Sequence, residues 1–251
     1  MTFTLVAHAK LTLTLRVTGM RADGYHLIDA EMVSLALADT LTISPDETGL
    51  TCDGPFADGT PIDTTNLVAR ALQLGGRTAS VHIHKAIPHG GGLGGGSADA
   101  AAVLRWAGYT DIVGAAAIGA DVPFCLVGGR ARVRGIGELV EPLPFEPLQV
   151  TLIVPPFAVS TPAVYRAWDE LGGPNSQHND LESAALRVEP RLVQWRERIG
   201  DAAGEAPTLA GSGATWFLRG HHELAAALPE AMVVHTETVT AAGTDYLPRA
   251  R

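Results

Sequence analysis

The chain has 251 residues, 46% of them apolar and 18% charged, enough for one large domain or two small ones with their own cores, which excludes extensive disorder. No apolar run reaches the roughly 18 residues of a membrane-spanning helix, and no basic flank precedes an apolar stretch at the N-terminus, so a soluble, cytoplasmic protein without a membrane partner is expected. A net charge of −9 argues against nucleic acid as a partner, and two distant cysteines, Cys52 and Cys125, make neither a disulfide framework nor a zinc cluster, so that a metal site is expected to be oxygen-ligated.

Along the chain, Leu11, Leu13, Leu15 and Val17 alternate with Lys10, Thr12, Thr14 and Arg16, the period of a half-buried strand with Lys10 and Thr12 on its outer face. A polar turn, Arg21 to His26, leads to apolar runs at Met32–Leu37, Leu41–Ile43 and Leu50–Cys52. These read as separate strands, paired antiparallel because their connections are short. Helical spacing follows from Asn66 to Leu74, with Leu67, Ala71 and Leu74 on one side. Ser80–His84 alternates again, and Ala98–Trp106 has good helix formers and no breaker. A short helical segment ends at Gly119, and Val122–Val127, Ala131–Arg134 and Glu138–Val140 read as strands. The cluster Pro142, Pro144 and Pro147 sets a boundary between domains 1–146 and 147–251. Beyond it come a strand at Val150–Val154, helices at Pro162–Leu171, Asp180–Val188 and Pro190–Ile199, a strand near Thr208 and another at Thr215–Leu218. A helix at Glu223–Leu228, a strand at Met232–His235 and a tail from Gly243 to Arg251 complete the reading. Helices and strands mix without regular alternation, so the fold class is α+β.

The most informative stretch joins the Ser80–His84 strand to the Ala-rich helix. Gly90, Gly91, Gly92, Gly94, Gly95 and Gly96 fill six of seven positions around Leu93, a costly loss of backbone freedom on folding. Without side chains the N–H groups approach a ligand closely, and the following helix start adds unpaired donors, which together make a phosphate cradle. The alternative is a linker or hairpin tip. The stretch has neither the Gly-Lys-Ser/Thr ending of the Walker loop nor the dinucleotide spacing. Composition supplies a second clue: of 18 basic residues, only Lys10 and Lys85 are lysines, through either codon bias or a need for an ammonium at those places.

The run from Pro88 and His89 through the glycines to Ser97, Ala98 and Asp99 resembles the ATP loop of the galactokinase, homoserine kinase, mevalonate kinase and phosphomevalonate kinase (GHMP) superfamily. Five further motifs follow that family's order: Ala9-Lys10-Leu11, Arg21-Ala22-Asp23-Gly24-Tyr25-His26, Gly119-Ala120-Asp121-Val122-Pro123-Phe124, Asn179-Asp180-Leu181-Glu182 and Gly211-Ser212-Gly213-Ala214. With them the chain is similar, from about residue 5 to 218, to the 4-diphosphocytidyl-2-C-methyl-D-erythritol kinases of that superfamily.

The resemblance implies two GHMP domains with the active site in the cleft between them. It also implies ATP-dependent phosphorylation of a small-molecule 2-hydroxyl in the non-mevalonate route to isoprenoid precursors, with ATP and Mg²⁺ as cofactors. On it, Asp121 is the base and Lys10 its ammonium partner, with a turn aspartate and a solvated strand lysine as the ordinary alternatives. Residues 88–98, Asn66 and Lys85 bind ATP, with Lys85 on the adenine side or simply closing a strand at the surface. Ser97 reaches the phosphates or Mg²⁺, or caps its helix. Tyr25 and His26 receive a pyrimidine base, and Tyr165 is the opposite aromatic wall or a core residue. Asp99 favours the dipole near the helix start. Thr12 stands where the family usually has Asn, and the connections before Ser80 and after Trp106 are short. Another GHMP-type kinase and a non-catalytic nucleotide-binding relative are the alternatives, the second weakened because a pure binder needs neither Lys10 nor Asp121. The oligomeric state is left between monomer and homodimer.

Overall fold

The computed structural model describes residues 1–173, 178–241 and 247–248. Two long strands, β1 (Phe3–Met20) and β2 (His26–Ser44), pair antiparallel along almost their whole length. The apolar runs at Met32–Leu37 and Leu41–Ile43 are therefore one strand. The polar interruption between them hid this, because Asp39 is fully buried there by partners that local sequence does not reveal. The register of β1 shifts between His8 and Lys10 and again between Thr12 and Thr14. Such irregularities re-aim side chains, and Lys10 to Leu13 are all buried. The expected outer face for Lys10 and Thr12 is thus covered.

The short strand β3 (Gly49–Asp53) is followed by α1 (Leu67–Leu74) and β4 (Ser80–His84). β3 and β4 run parallel, a departure from the expected antiparallel pairing, because their connection is long enough to hold a helix. Next come α2 (Gly95–Ala107), α3 (Ile112–Ala115) and α4 (Val122–Val127). The expected strand at Val122–Val127 is a helix. A buried six-residue apolar run carries no usable period, whereas Pro123 in its first turn suits a helix start. Strands β5 (Arg130–Gly135) and β6 (Leu139–Pro142) form a hairpin.

In the second half, β7 (Gln149–Val154) precedes α5 (Thr161–Leu171), α6 (Glu182–Val188) and α7 (Arg191–Ala203). Strands β8 (Thr208–Leu209), β9 (Trp216–Arg219), β10 (Met232–Val239) and β11 (Leu247–Pro248) complete the chain. Residues 223–228, expected as a helix, form turns. The expected tail lies outside the described residues except for β11, which pairs with β1. The principal sheet order is β11-β1-β2-β10-β7-β9-β8. One edge of β2 serves three partners in succession, β5, β10 and β4, so β10 carries the sheet across residue 147. One apolar cluster lies mainly under α1, α2, α5 and α7. A second joins Leu11, Leu13, Leu35, Ile87 and Leu93 to Val150, Leu152, Ala210 and Phe217. No helix among the described residues is long and apolar enough to cross a membrane.

Candidate active site

The glycine loop lies against β1. The backbone N–H of Lys10 donates to the carbonyl of Leu93 at 2.9 Å. Gly94 has φ +69°, and a Cβ there would fall 2.7 Å from Lys10 Cγ. Gly92 has φ +77° and leaves no room for a Cβ beside the Ala210 carbonyl. Both are places where only glycine fits. Among the described residues, none accepts a hydrogen bond from the N–H groups of Gly90 through Ser97. These donors include the first turn of α2, where the helix dipole adds positive potential. Ser97 is the third residue of α2, not its cap; the capping position is Gly94, which offers no side chain. Ser97 Oγ faces Gly119.

Beneath the loop lies a charged core that the sequence reading missed. Lys85, expected at the loop entrance or the surface, is buried, and its Nζ donates to Asp39 and, at 2.7 Å, to Asp99. Asp39 Oδ1 also accepts from the N–H groups of Ala86, at 2.6 Å, and Ile87, at 2.7 Å. Asp99, expected to be a dipole-favouring residue at the helix start, sits one turn in and is buried. Burial pushes its carboxyl up to about 7 against the pull of Lys85. Burial opposes the charge on Lys85, but the two carboxylates together hold its pKa above the ordinary value. Lys85 thus supports the loop from below. Asn66 caps α1: its Oδ1 accepts from Val68 N at 2.8 Å and its Nδ2 donates to Pro61 O at 2.6 Å. The adjacent Leu67 side chain packs beside Gly96 and Gly119.

Above the loop a cleft of about 530 Å³ is lined by residues from both halves of the chain. Lys10, 5% exposed, points its Nζ toward Asp121 Oδ2 at 3.5 Å and donates to Thr12 Oγ1 at 3.2 Å. Asp121 occupies the N-cap position of α4, yet its side chain makes no capping bond, which removes the ordinary explanation for an aspartate there. Its carboxylate stays a third exposed at the cleft. One turn on, burial pushes the Cys125 thiol up to about 12, so it stays protonated and offers no soft ligand.

At the far end, the turn from Arg21 to Tyr25 closes on itself through Gly24 N to Arg21 O at 2.9 Å, and Tyr25 is 60% exposed. His26 Nε2 lies 2.7 Å from Asp169 Oδ1. The Tyr165 ring stacks on His26 at 4.7 Å instead of standing opposite it. The two form one aromatic face, and burial and then the Asp121 charge push the Tyr165 hydroxyl up to about 12.

Of the lining residues near the expected Tyr165, Thr161, Arg166 and Asp169 were not foreseen. Thr161, Tyr165 and Asp169 recur every four residues and so share one face of α5, a polar stripe that was legible in the sequence. Arg166 also lines the cleft, and no carboxylate among the described residues pairs with it. Asn179 Nδ2 donates to the carbonyls of Leu209 and Gly211, at 2.9 and 2.6 Å. Asp180 accepts from Val17 N at 2.9 Å and Arg16 Nη1 at 2.7 Å. This pair ties the Gly211 turn, which borders Thr12 and Lys10, to β1.

Comparison with known proteins agrees with this fold. Residues 62–129 match the model for the GHMP kinases N terminal domain. The 4-diphosphocytidyl-2-C-methyl-D-erythritol kinase of Paracoccus denitrificans (strain Pd 1222) is 41% identical over 231 residues, covering 84% of each chain. That of Jannaschia sp. (strain CCS1) is 38% identical, covering 90% of this chain and 91% of its own. A crystal structure of 4-(cytidine 5'-diphospho)-2C-methyl-D-erythritol kinase superimposes with a TM-score of 0.75 at 35% identity, covering 94% of this chain and 99% of that one. The chain, an ATP-using small-molecule kinase of GHMP fold, belongs to the 4-diphosphocytidyl-2-C-methyl-D-erythritol kinase family.

Proposed function

We propose that this kinase transfers the γ-phosphoryl group of ATP to the 2-hydroxyl of 4-diphosphocytidyl-2-C-methyl-D-erythritol, a step in making isoprenoid precursors by the non-mevalonate route. The observation that carries the reading is the Lys10–Asp121 pair at 3.5 Å, set beside a glycine loop whose N–H groups have no acceptor among the described residues. Phosphoryl transfer asks for positioning, neutralisation of the phosphates and a route for the hydroxyl proton. The loop donors from Gly90 to Ser97 neutralise the phosphates. Asp121 takes the proton from the attacking hydroxyl, and the Lys10 ammonium, 3.5 Å from that carboxylate, polarises the hydroxyl oxygen. The Thr12 hydroxyl, bonded to Lys10 Nζ, orients that ammonium where the family usually places an amide.

The oxygen donors beside the loop, Ser97 and Asp121, with the Cys125 thiol protonated, suit a hard divalent cation. Mg²⁺ arriving with ATP would find Ser97 on the first turn of α2 and would supply further charge neutralisation on the phosphates. At the other end, a carboxylate only accepts, so the His26–Asp169 bond places a proton on Nε2, and in the neutral ring Nδ1 is then an acceptor. That lone pair suits the exocyclic amine of a cytosine, with the exposed Tyr25 ring available for stacking. Arg166 lines the same cleft and would supply a counter-charge to the diphosphate of such a substrate.

The test is direct. Purified protein with ATP, Mg²⁺ and 4-diphosphocytidyl-2-C-methyl-D-erythritol should release ADP and form the 2-phosphate. Turnover of homoserine or mevalonate in its place would move the assignment to another branch of the GHMP kinases. Nucleotide binding without turnover of any acceptor would leave a non-catalytic relative.

A further inference from the structure

On a different face of the sheet, β10 and the turn after β9 bring together side chains that the phosphoryl transfer does not use. His221, Glu223 and His235 are exposed, and one potential ligand atom from each lies within 4.8 Å of the others. The two imidazole centroids are 3.7 Å apart, and His221 Nε2 lies 2.7 Å from Glu223 Oε1. His235 Nε2 is 2.9 Å from the carbonyl oxygen of His222. A carbonyl only accepts, so Nε2 carries the proton and Nδ1 keeps its lone pair. An imidazole oriented by its second N–H on a backbone carbonyl is the usual support of a metal-ligating histidine.

The fold prepares this arrangement from beneath. β7 lies between β9 and β10. Its Thr151 stands opposite His235, donates through Oγ1 to Gly220 O at 2.9 Å and accepts from His222 N at 3.0 Å. The turn that carries His221 is thereby pinned beside β10. A cavity of about 450 Å³ adjoins the cluster, and Glu237, on the same face of β10 as His235, adds a second carboxylate to its rim.

We propose that His221, Glu223 and His235 form a surface site for a divalent transition-metal ion of the zinc class, which clamps the 220–228 turn to β10. Donors about 2.0 Å from a tetrahedral ion stand about 3.3 Å apart, so the group, now within 4.8 Å, closes on one by drawing in through rotation of its exposed side chains, and a water takes the fourth position. Two imidazoles with one carboxylate favour such ions over Mg²⁺ or Ca²⁺. The cysteine count pointed only to oxygen ligands, because it could not place His221, in the turn after β9, beside His235, 14 residues on in β10. The site is remote from the phosphates: β7 leads from Val150, at this cavity, to Val154, beside Gly91, about 13 Å at the rise of a strand.

The untagged full chain, stripped of metal with a chelator, is titrated with Co²⁺ and then with Zn²⁺. One equivalent of Co²⁺ should give the visible bands of a four-coordinate nitrogen–oxygen site, and Zn²⁺ should displace it. His221→Ala, His235→Ala and Glu223→Gln should each weaken binding at least about tenfold. All three positions are exposed, so the variants should keep the parent's circular dichroism and kinase turnover. His84→Ala, in a separate exposed group formed with His82 and Asp53, should leave binding unchanged. Zn²⁺ should also slow hydrogen exchange in residues 220–228 of the parent but not of His235→Ala. Absence of stoichiometric Co²⁺ binding overturns the proposal, as does binding that survives His235→Ala and Glu223→Gln or is lost in His84→Ala.

Discussion

Asp121 begins a helix without capping it, and that unspent carboxylate beside Lys10 is the feature an enzyme would keep at the expense of local stability. Asp121→Asn keeps the shape and removes the base. Turnover should fall by about 10²–10⁴ while ATP binding, followed by calorimetry, stays near the parent's value; a variant that turns over normally would remove Asp121 from the mechanism. Arg166 offers a complementary test at the other end of the cleft. A lost charge-assisted bond costs about 1.5–3 kcal/mol, so Arg166→Ala should raise the KM for the diphosphate-bearing acceptor by about tenfold or more and leave the KM for ATP unchanged. If both move together, Arg166 acts on the cleft as a whole and not on the acceptor. Lys10, Asp121, Tyr25 and His26 were legible in the sequence because each sits in a short motif. Arg166 and Asp169 were not singled out, since their roles depend on which elements the fold brings alongside them; Asn179 was legible as part of a motif, but not its bonds to Leu209 and Gly211.

Among the elements, the glycine loop and α2 rest on the buried group Lys85, Asp39 and Asp99, and this sets a pH dependence. The Asp99 carboxyl titrates from the ordinary 3.8 in the unfolded chain but is pushed up to about 7 in the fold, chiefly by burial. Between those values the folded state holds the proton more tightly than the unfolded state. Its contribution is therefore complete below pH 4 and is lost as the pH rises through 7. Asp99→Asn removes that slope. Its melting temperature should fall less than the parent's from pH 4.5 to 7.5; parallel profiles would show that Asp99 is not the titrating group. Lys85→Met leaves two buried carboxylates without their cation, a change that typically costs about 3–5 kcal/mol, and should lower thermal stability and weaken ATP binding together. The same elements mark where sequence reading succeeds and fails. α1, β4 and β7 were placed within a residue because period and flanking turn residues agree there. By period alone α4 reads as a strand and β2 as two, because burial of most of a short run erases the period and a buried ion pair looks like a polar break. The turns at 223–228 look helical by composition, but β9 and β10 set their path.

For the whole molecule, the charge of −9 describes the outer shell, while both lysines are buried beside or beneath the loop. The two halves that the proline cluster separates in sequence are joined in the structure by β10 on β2 and by the shared apolar cluster. Residues 1–146 on their own would keep Leu11, Leu13, Leu35, Ile87 and Leu93 but lose Val150, Leu152, Ala210 and Phe217 from above them. Re-exposing five large side chains at about 1.5–3 kcal/mol each costs about 10 kcal/mol, as much as the entire stability of a typical domain, about 5–15 kcal/mol. The intact chain should therefore melt in a single calorimetric transition, with tryptophan fluorescence and far-ultraviolet circular dichroism changing together. A fragment of residues 1–146 should show no cooperative transition. Two resolved transitions in the intact chain, or a fragment that melts sharply, would mean that the shared cluster is a dispensable contact and that each half folds on its own core.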